Sequence, residues 1–286
     1  VTDDVVAVGT SRSSRGIGGR WGGRSLAALA ALFGLFLALP ILTLVGRAVF
    51  DGSLAVAIAS PVVLDALWLS LVTTAVSLVI TVMFGLPLAL VLARRRFRGK
   101  GWIEAIVDLP IVLPPSVAGL ALLLVFGRRG LLAAPFDVLG FSIPFTTIAV
   151  VLAQTFVSAP FFIRSARTGI AAVDRDLEDA ARVDGGSEWQ LFRLVTVPLA
   201  SAALAAGLVM TWARSLGEFG ATIMFAGNVE GRTQTLPLVV YGEFQGGDLE
   251  AAIAAAAILV IAAFGVLLAV RFFHWGRVLD ARGLGG

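Results

Sequence analysis

Long apolar runs dominate the chain, and its polar residues gather in short clusters between them. Crossing roughly 30 Å of hydrocarbon takes about 20 apolar residues in a helix. The pattern supplies six such runs, at 26–50, 66–93, 103–126, 145–163, 199–225 and 251–273. An all-α, polytopic membrane protein of about six transmembrane helices is therefore predicted. One polar interval is longer than the rest, because no span claims the residues between Arg164 and Val197. There Asp174, Asp176, Glu178 and Asp179 load the first turns of a short helix, where negative charge suits the N-terminal dipole. Gly185 or Gly186 supplies a left-handed stop. Ser187 with Gln190 forms a capping box for a second short helix ending near Leu194, and Pro198 opens the fifth span. Such a charged elbow serves no purpose toward lipid and reads as a handle for a partner on one side of the membrane.

The spans carry polar signals too. The third opens with Glu104 and Asp108 and then meets Pro110, Pro114 and Pro115. Proline removes donors and kinks helices, and carbonyls freed in lipid need neighbours or a wet cavity, so this helix is expected to line something. The fifth span holds Arg214 and Glu218, one turn apart on one helical face and roughly 24 Å along the helix from Pro198. Charges at that depth face a bundle interior or an aqueous path. The connection at 227–249, with Thr233, Thr235, Pro237 and a Gly246-Gly247 turn, predicts a structured cap, and the small residues of the sixth span suit close packing.

Composition agrees with this reading: 58% of residues are apolar, 14% are charged and the mean hydropathy is +0.94. Orientation comes from the basic residues. With the N-terminus inside, Arg12, Arg15, Arg20 and Arg24, the group from Arg94 to Lys100, the group from Arg164 to Arg193, and Arg271, Arg277 and Arg282 all lie in the cytoplasm. Only Arg47, Arg128, Arg129 and Arg232 stay outside, so the positive-inside rule puts both termini in the cytoplasm. The basic balance thus reports topology and not nucleic acid, since no basic stripe interleaved with aromatics appears. With no cysteine and His274 alone, disulfides, thiolate catalysis and His-rich metal sites are excluded. Gly99-Lys100 lacks the Ser or Thr and the earlier Gly of a phosphate loop, and no nucleotide site is found. Residues 1–25 are expected to be a disordered cytoplasmic tail, 26–275 the transmembrane domain with its coupling helices inside 174–197, and 276–286 a cytoplasmic tail. The first span lacks a small-residue cleavage site and reads as a retained anchor.

The residues of the elbow resemble those of the transmembrane permeases of bacterial ATP-binding-cassette importers, whose cytoplasmic docking pattern is Glu-Ala-Ala, three residues, Gly, nine residues, Ile, any residue, Leu-Pro. Here Asp179-Ala180-Ala181, Gly185, Val195 and Val197-Pro198 stand at those positions, with Asp for Glu and Val for Ile and Leu. Within that superfamily the chain looks most like molybdate permeases, through the stretches from Asp108 to Gly119, from Arg214 to Asn228 and from Thr233 to Pro237. Tungstate and sulfate permeases share much of this. The resemblance implies a type I importer fold and a permease homodimer. Its partners would be two ATPase subunits and a periplasmic or lipid-anchored oxyanion-binding protein, in a bacterial or archaeal cell membrane. It implies no cofactor on this chain, with ATP and Mg on the partner. ATPase coupling would fall to Asp179, Ala180, Ala181, Gly185, Glu188 and Pro198. The translocation pathway or gate would involve Pro114, Pro115, Ser116, Arg214, Ser215, Glu218 and Asn228.

Two other classes fit the sequence less well. A gradient-driven carrier predicts inverted repeats or unwound helices with buried mid-membrane acids, neither of which is visible in the sequence. An intramembrane enzyme needs His, Cys or paired-acid equipment in a span, which the spans lack.

Overall fold

The computed structural model describes residues 20–138 and 140–283. Nearly all of the tail expected at 1–25 and the last three residues of the tail expected at 276–286 lie outside the described residues. What is described folds into helices joined by turns, with no strand. The chain divides into two compact units, split after Leu44. Helix α1 (Arg20–Phe50) supplies the described part of the first, and its side chains from Leu26 to Leu42 are largely exposed. A bare apolar helix is stable only in a lipid-like medium, where its backbone bonds are satisfied internally.

The second unit runs through α2 (Ser53–Ala59), α3 (Pro61–Arg94), α4 (Lys100–Val112), α5 (Pro115–Phe126), α6 (Ala133–Val138) and α7 (Thr147–Ala171). It continues with α8 (Arg175–Val183), α9 (Glu188–Leu191), a π-helical turn (Phe192–Thr196), α10 (Val197–Leu216), α11 (Gly220–Phe225), α12 (Leu236–Gly246) and α13 (Leu249–Gly283). Among the described residues five stretches are long and apolar enough to cross a bilayer, and α4 with α5 makes a sixth if that pair counts as one span. Helix α7 is central, packing along both α3 and α10. Phe162, Ile163 and Ala166 of α7 bury against Ala89 and Leu92 of α3. A second cluster joins Ala118 and Leu122 of α5, Ala149, Val150, Ala153 and Val157 of α7, and Ala221 and Phe225 of α11. A third ties α2, α3, α12 and α13 together through Ala57, Val63, Leu236, Val239, Ala254 and Ile258.

Hydroxyls line the seam between α3, α7 and α10, a feature the sequence reading did not find. Ser70, Thr73, Thr74, Ser77 and Thr81 form one buried stripe of α3. Thr155 Oγ1 donates to Ser77 Oγ at 3.0 Å, and Ser215 Oγ donates to Ser158 Oγ at 2.8 Å. Without a hydrophobic drive between helices in lipid, small residues and interhelical hydrogen bonds supply association. Ser70 Oγ also accepts from the backbone N–H of Leu236 at 2.8 Å, anchoring the expected cap at the start of α12.

Three sequence expectations are corrected. The fourth span does not stop at 163 but continues as α7 to Ala171. Arg164 and Arg167, which look like its end, pair instead with the charged face of α4: Arg167 Nη1 lies 2.5 Å from Glu104 Oε1, and Arg164 Nε lies 3.8 Å from Asp108 Oδ1. The third span is not one kinked helix, because α4 and α5 meet at a 119° bend. Leu113 and Pro114 are extended there, as a residue preceding proline prefers. The fifth span is not continuous either: α10 stops at Leu216, Gly217 caps it, and helix resumes only at Gly220. An unwound segment bearing a buried acid, Glu218, is thus present after all.

Candidate functional site: a docking elbow and a crossing of broken helices

The elbow is built as its sequence dictates up to Ser187. Asp174 caps α8, its side chain accepting from the N–H of Asp176 at 3.0 Å. After Val183 the chain turns at Gly185, whose φ of +87° is the left-handed conformation that an L side chain adopts only with strain. The Gly186 N–H bonds Ala181 O and the Gly185 N–H bonds Arg182 O, both at 3.0 Å. That pair of bonds is a Schellman stop. The capping box is present: the Ser187 N–H donates to Gln190 Oε1 at 2.8 Å, and the Gln190 N–H donates to Ser187 Oγ at 3.3 Å.

The expected second short helix is different. Only one α turn forms, Glu188–Leu191, and the chain passes through the π-helical turn straight into α10. Pro198 has no N–H to give, and the Val197 N–H reaches back to Phe192 O in the wider π register. The elbow is therefore α8 set against the foot of a spanning helix.

One residue outside the predicted set holds it there. Glu178 is 4% exposed, and its Oε1 accepts from Arg94 Nη2 at 2.5 Å and from Thr196 Oγ1 at 2.8 Å. Arg94 also donates to Val173 O at 3.3 Å, and Arg175 reaches Arg94 O at 3.4 Å. One carboxylate so joins α3, α8 and the π turn. The sequence did contain a signal, an acidic residue immediately before the docking pattern, but the helix dipole gave it a sufficient local reason. Asp179, at the pattern's acidic position, is exposed and bonds Arg182 at 2.6 Å. Arg182 Nε also donates to Glu188 Oε1 at 2.7 Å. The bonds to Glu188 and then to Asp179 hold the Arg182 guanidinium above its ordinary range. Ala180 is exposed, Ala181 is half-buried, and a cleft of about 460 Å³ opens between α3, α8 and the foot of α10. On the same polar projection Val183, Trp189 and Leu194 are exposed apolar side chains.

At the other end of α10 the two broken helices meet. A Cβ on Gly220 would lie 2.8 Å from Pro115 Cβ and 3.2 Å from Ser116 N, and one on Gly119 would lie 2.6 Å from Ala221 O. Glycine at both positions lets the start of α11 press on the start of α5. Pro115, Ser116 and Glu218 are thereby brought into one neighbourhood, with Pro114 as the N-cap of α5. Arg214 Nη1 is 2.7 Å from Glu218 Oε2, and Glu218 Oε1 accepts from the N–H of Ala221 at 2.7 Å. The pair is thus made across the unwound turn and not along one helical face. Arg214 stands at the negative end of α10 and Glu218 at the positive end of α11, a favourable placement for both. Burial is unequal, with side chains 28% and 1% exposed. Ser215, expected with them, instead bonds α7 within the hydroxyl seam. Asn228 follows α11 and faces α12, its Nδ2 being 3.6 Å from where a Cβ of Gly242 would stand. Among the described residues no group of three or more His, Cys, Asp or Glu side chains could hold a metal ion.

Residues 85–280 match the family model described as "Binding-protein-dependent transport system inner membrane component". The molybdenum transport system permease protein ModB of Mycobacterium bovis is 42% identical over 243 residues, covering 85% of this chain and 91% of that one. A probable sulfate transport system permease protein cysT of Anthoceros angustus is 34% identical over 249 residues, covering 86% of each. Among solved structures, a bacterial ABC transporter involved in the import of the acidic polysaccharide alginate aligns with a TM-score of 0.71, covering 88% of this chain and 94% of that one at 17% identity. The fold is that of ABC importer permeases.

Proposed function

Because this chain belongs to the family of binding-protein-dependent transport system inner membrane components, we propose that it is the permease of an ATP-driven molybdate importer, lining the translocation path as a homodimer. In this reading α8 and Gly185 dock on a separate ATPase subunit, and the chain itself hydrolyses nothing. An oxyanion-binding protein delivers its cargo at the opposite face, and both termini lie in the cytoplasm. The observation that carries it is the elbow, a polar projection with exposed apolar tips, pinned at its base by Glu178 to two spanning helices. Closure of the ATPases would push α8, and through Glu178 the push reaches α3 and α10, whose far end holds Arg214. Molybdate is supported by the 42% identity to the Mycobacterium bovis protein. The second reading, sulfate, is supported by the 34% identity to the Anthoceros angustus protein.

The test is ATP-dependent uptake of labelled molybdate into vesicles holding the permease, its ATPase and its binding protein. Excess tungstate should compete and sulfate should not. Competition by sulfate at comparable concentration would move the assignment to the sulfate permeases, and uptake without the ATPase would overturn the coupling scheme.

A further inference from the structure

Helix α4 spends its charged face on α7 and turns its apolar face outward. Glu104 and Asp108 meet Arg167 and Arg164, and Lys100, one turn before Glu104, pairs with it along the same side. On the opposite side Trp102 is 78% exposed, Ile106 66% and Leu109 51%. The loop leading into α4 contains Arg95, Arg96 and Arg98, all exposed and, among the described residues, without an acidic partner. Position settles what lies beside this loop. Helix α3 is a candidate span that ends at Arg94, so the next residues emerge at the surface of the bilayer. Unpaired guanidinium groups, an exposed Trp at the interface and a contiguous apolar helix face combine the three attractions that a phospholipid answers: a charged headgroup, an amphipathic boundary and acyl chains.

We propose that the loop with Arg96 and Arg98, together with the outward face of α4, is a binding site for an acidic phospholipid. The headgroup phosphate lies against the arginines and its chains run along Trp102 and Ile106. The site requires only that α3 crosses the membrane, so it stands independently of the transported ion. It also adjoins the docking elbow, since Arg94, one residue before the loop, is the partner of Glu178.

The test uses the full chain in nanodiscs of mixed phosphatidylglycerol and phosphatidylcholine, with lipids retained after detergent extraction counted by native mass spectrometry. Preferential retention of phosphatidylglycerol is expected. R96Q/R98Q should weaken it by about five-fold for each arginine lost, and R96K/R98K should keep most of it. Equal retention by the parent and R96Q/R98Q, or no preference between the two lipids, would overturn the proposal. Release of the lipid by inorganic phosphate would overturn it in favour of a free-anion site. Displacement of the lipid on adding the ATPase subunit would assign this face to that protein instead.

Discussion

Arg94 Nη2 sits 2.5 Å from Glu178 Oε1, joining the last residue of a 34-residue helix to the middle of the elbow. Both side chains are mostly buried, at 17% and 6% exposure, and Arg94 Nε has no hydrogen-bond partner among the described residues. An ion pair of this kind gives little stability over an apolar pair, yet loss of one member strands a buried charge at a cost of about 3–5 kcal/mol.

Glu178→Ala alone is therefore expected to destabilise the purified protein strongly, and Arg94→Leu with Glu178→Leu much less. Thermal unfolding in detergent of these two variants and of the single variants Arg94→Leu and Glu178→Leu checks this. Additive effects would show that the two residues do not work as a unit. A folded double variant with lowered uptake would support the pair's part in coupling.

At Gly185 the structure separates strain from docking. A Cβ there meets nothing within 4 Å, so a side chain has room and pays only for the left-handed φ, about 1–2 kcal/mol. Gly185→Asn should transport nearly as the parent does, whereas Gly185→Trp should insert and fold but lose ATP-dependent uptake. Undiminished uptake by the Trp variant would falsify the docking role.

Unequal burial decides how the Arg214–Glu218 pair fails. Removing either member strands the other, and Arg214 is 28% exposed where Glu218 is only 1%. Arg214→Gln leaves an enclosed carboxylate, while Glu218→Gln leaves a cation with a path to water and keeps an oxygen for the Ala221 N–H. The expected order of impairment is Arg214→Gln first, then Glu218→Gln, with the double variant no worse than Arg214→Gln. Uptake at matched expression measures it, and parental rates in both single variants would remove the pair from gating.

Topology can be tested directly because the chain has no cysteine. Asp184 and Arg232 are both exposed. Cys introduced at Arg232 should react with a membrane-impermeant thiol reagent in intact cells, and Cys at Asp184 should not. The reverse pattern would invert the orientation.

Local chemistry was legible where it was decided locally. Ser187 and Gln190, three residues apart, announced a capping box, and the glycines after Asp184 announced a stop; both are made by neighbours in sequence. Features set by distant partners were not legible. Arg164 and Arg167 resemble the end of a span until Asp108 and Glu104 are seen beside them. Glu178 resembles one more acid at a helix start until Arg94, 84 residues earlier, is found against it. The break after Leu216 was hidden because Gly217 and Gly220 sit in an apolar run, where glycine also serves close packing. The hydroxyl stripe of α3 did carry a signal, its spacing of three and four residues, which apolar spans make easy to pass over.

The π turn at Phe192–Thr196 sets an angular phase. An α-helix advances about 100° per residue, so the one extra residue held by a π turn rotates everything before it by about that angle relative to everything after it. Thr196, the last residue of that turn, donates to Glu178 of the elbow. Were the turn to tighten to ordinary α geometry and Glu178 to let go of Arg94, α8 would swing around the axis of α10 with both helices intact. The bearing of the elbow on the membrane is thus written into five residues, and the elbow can be re-aimed without being rebuilt.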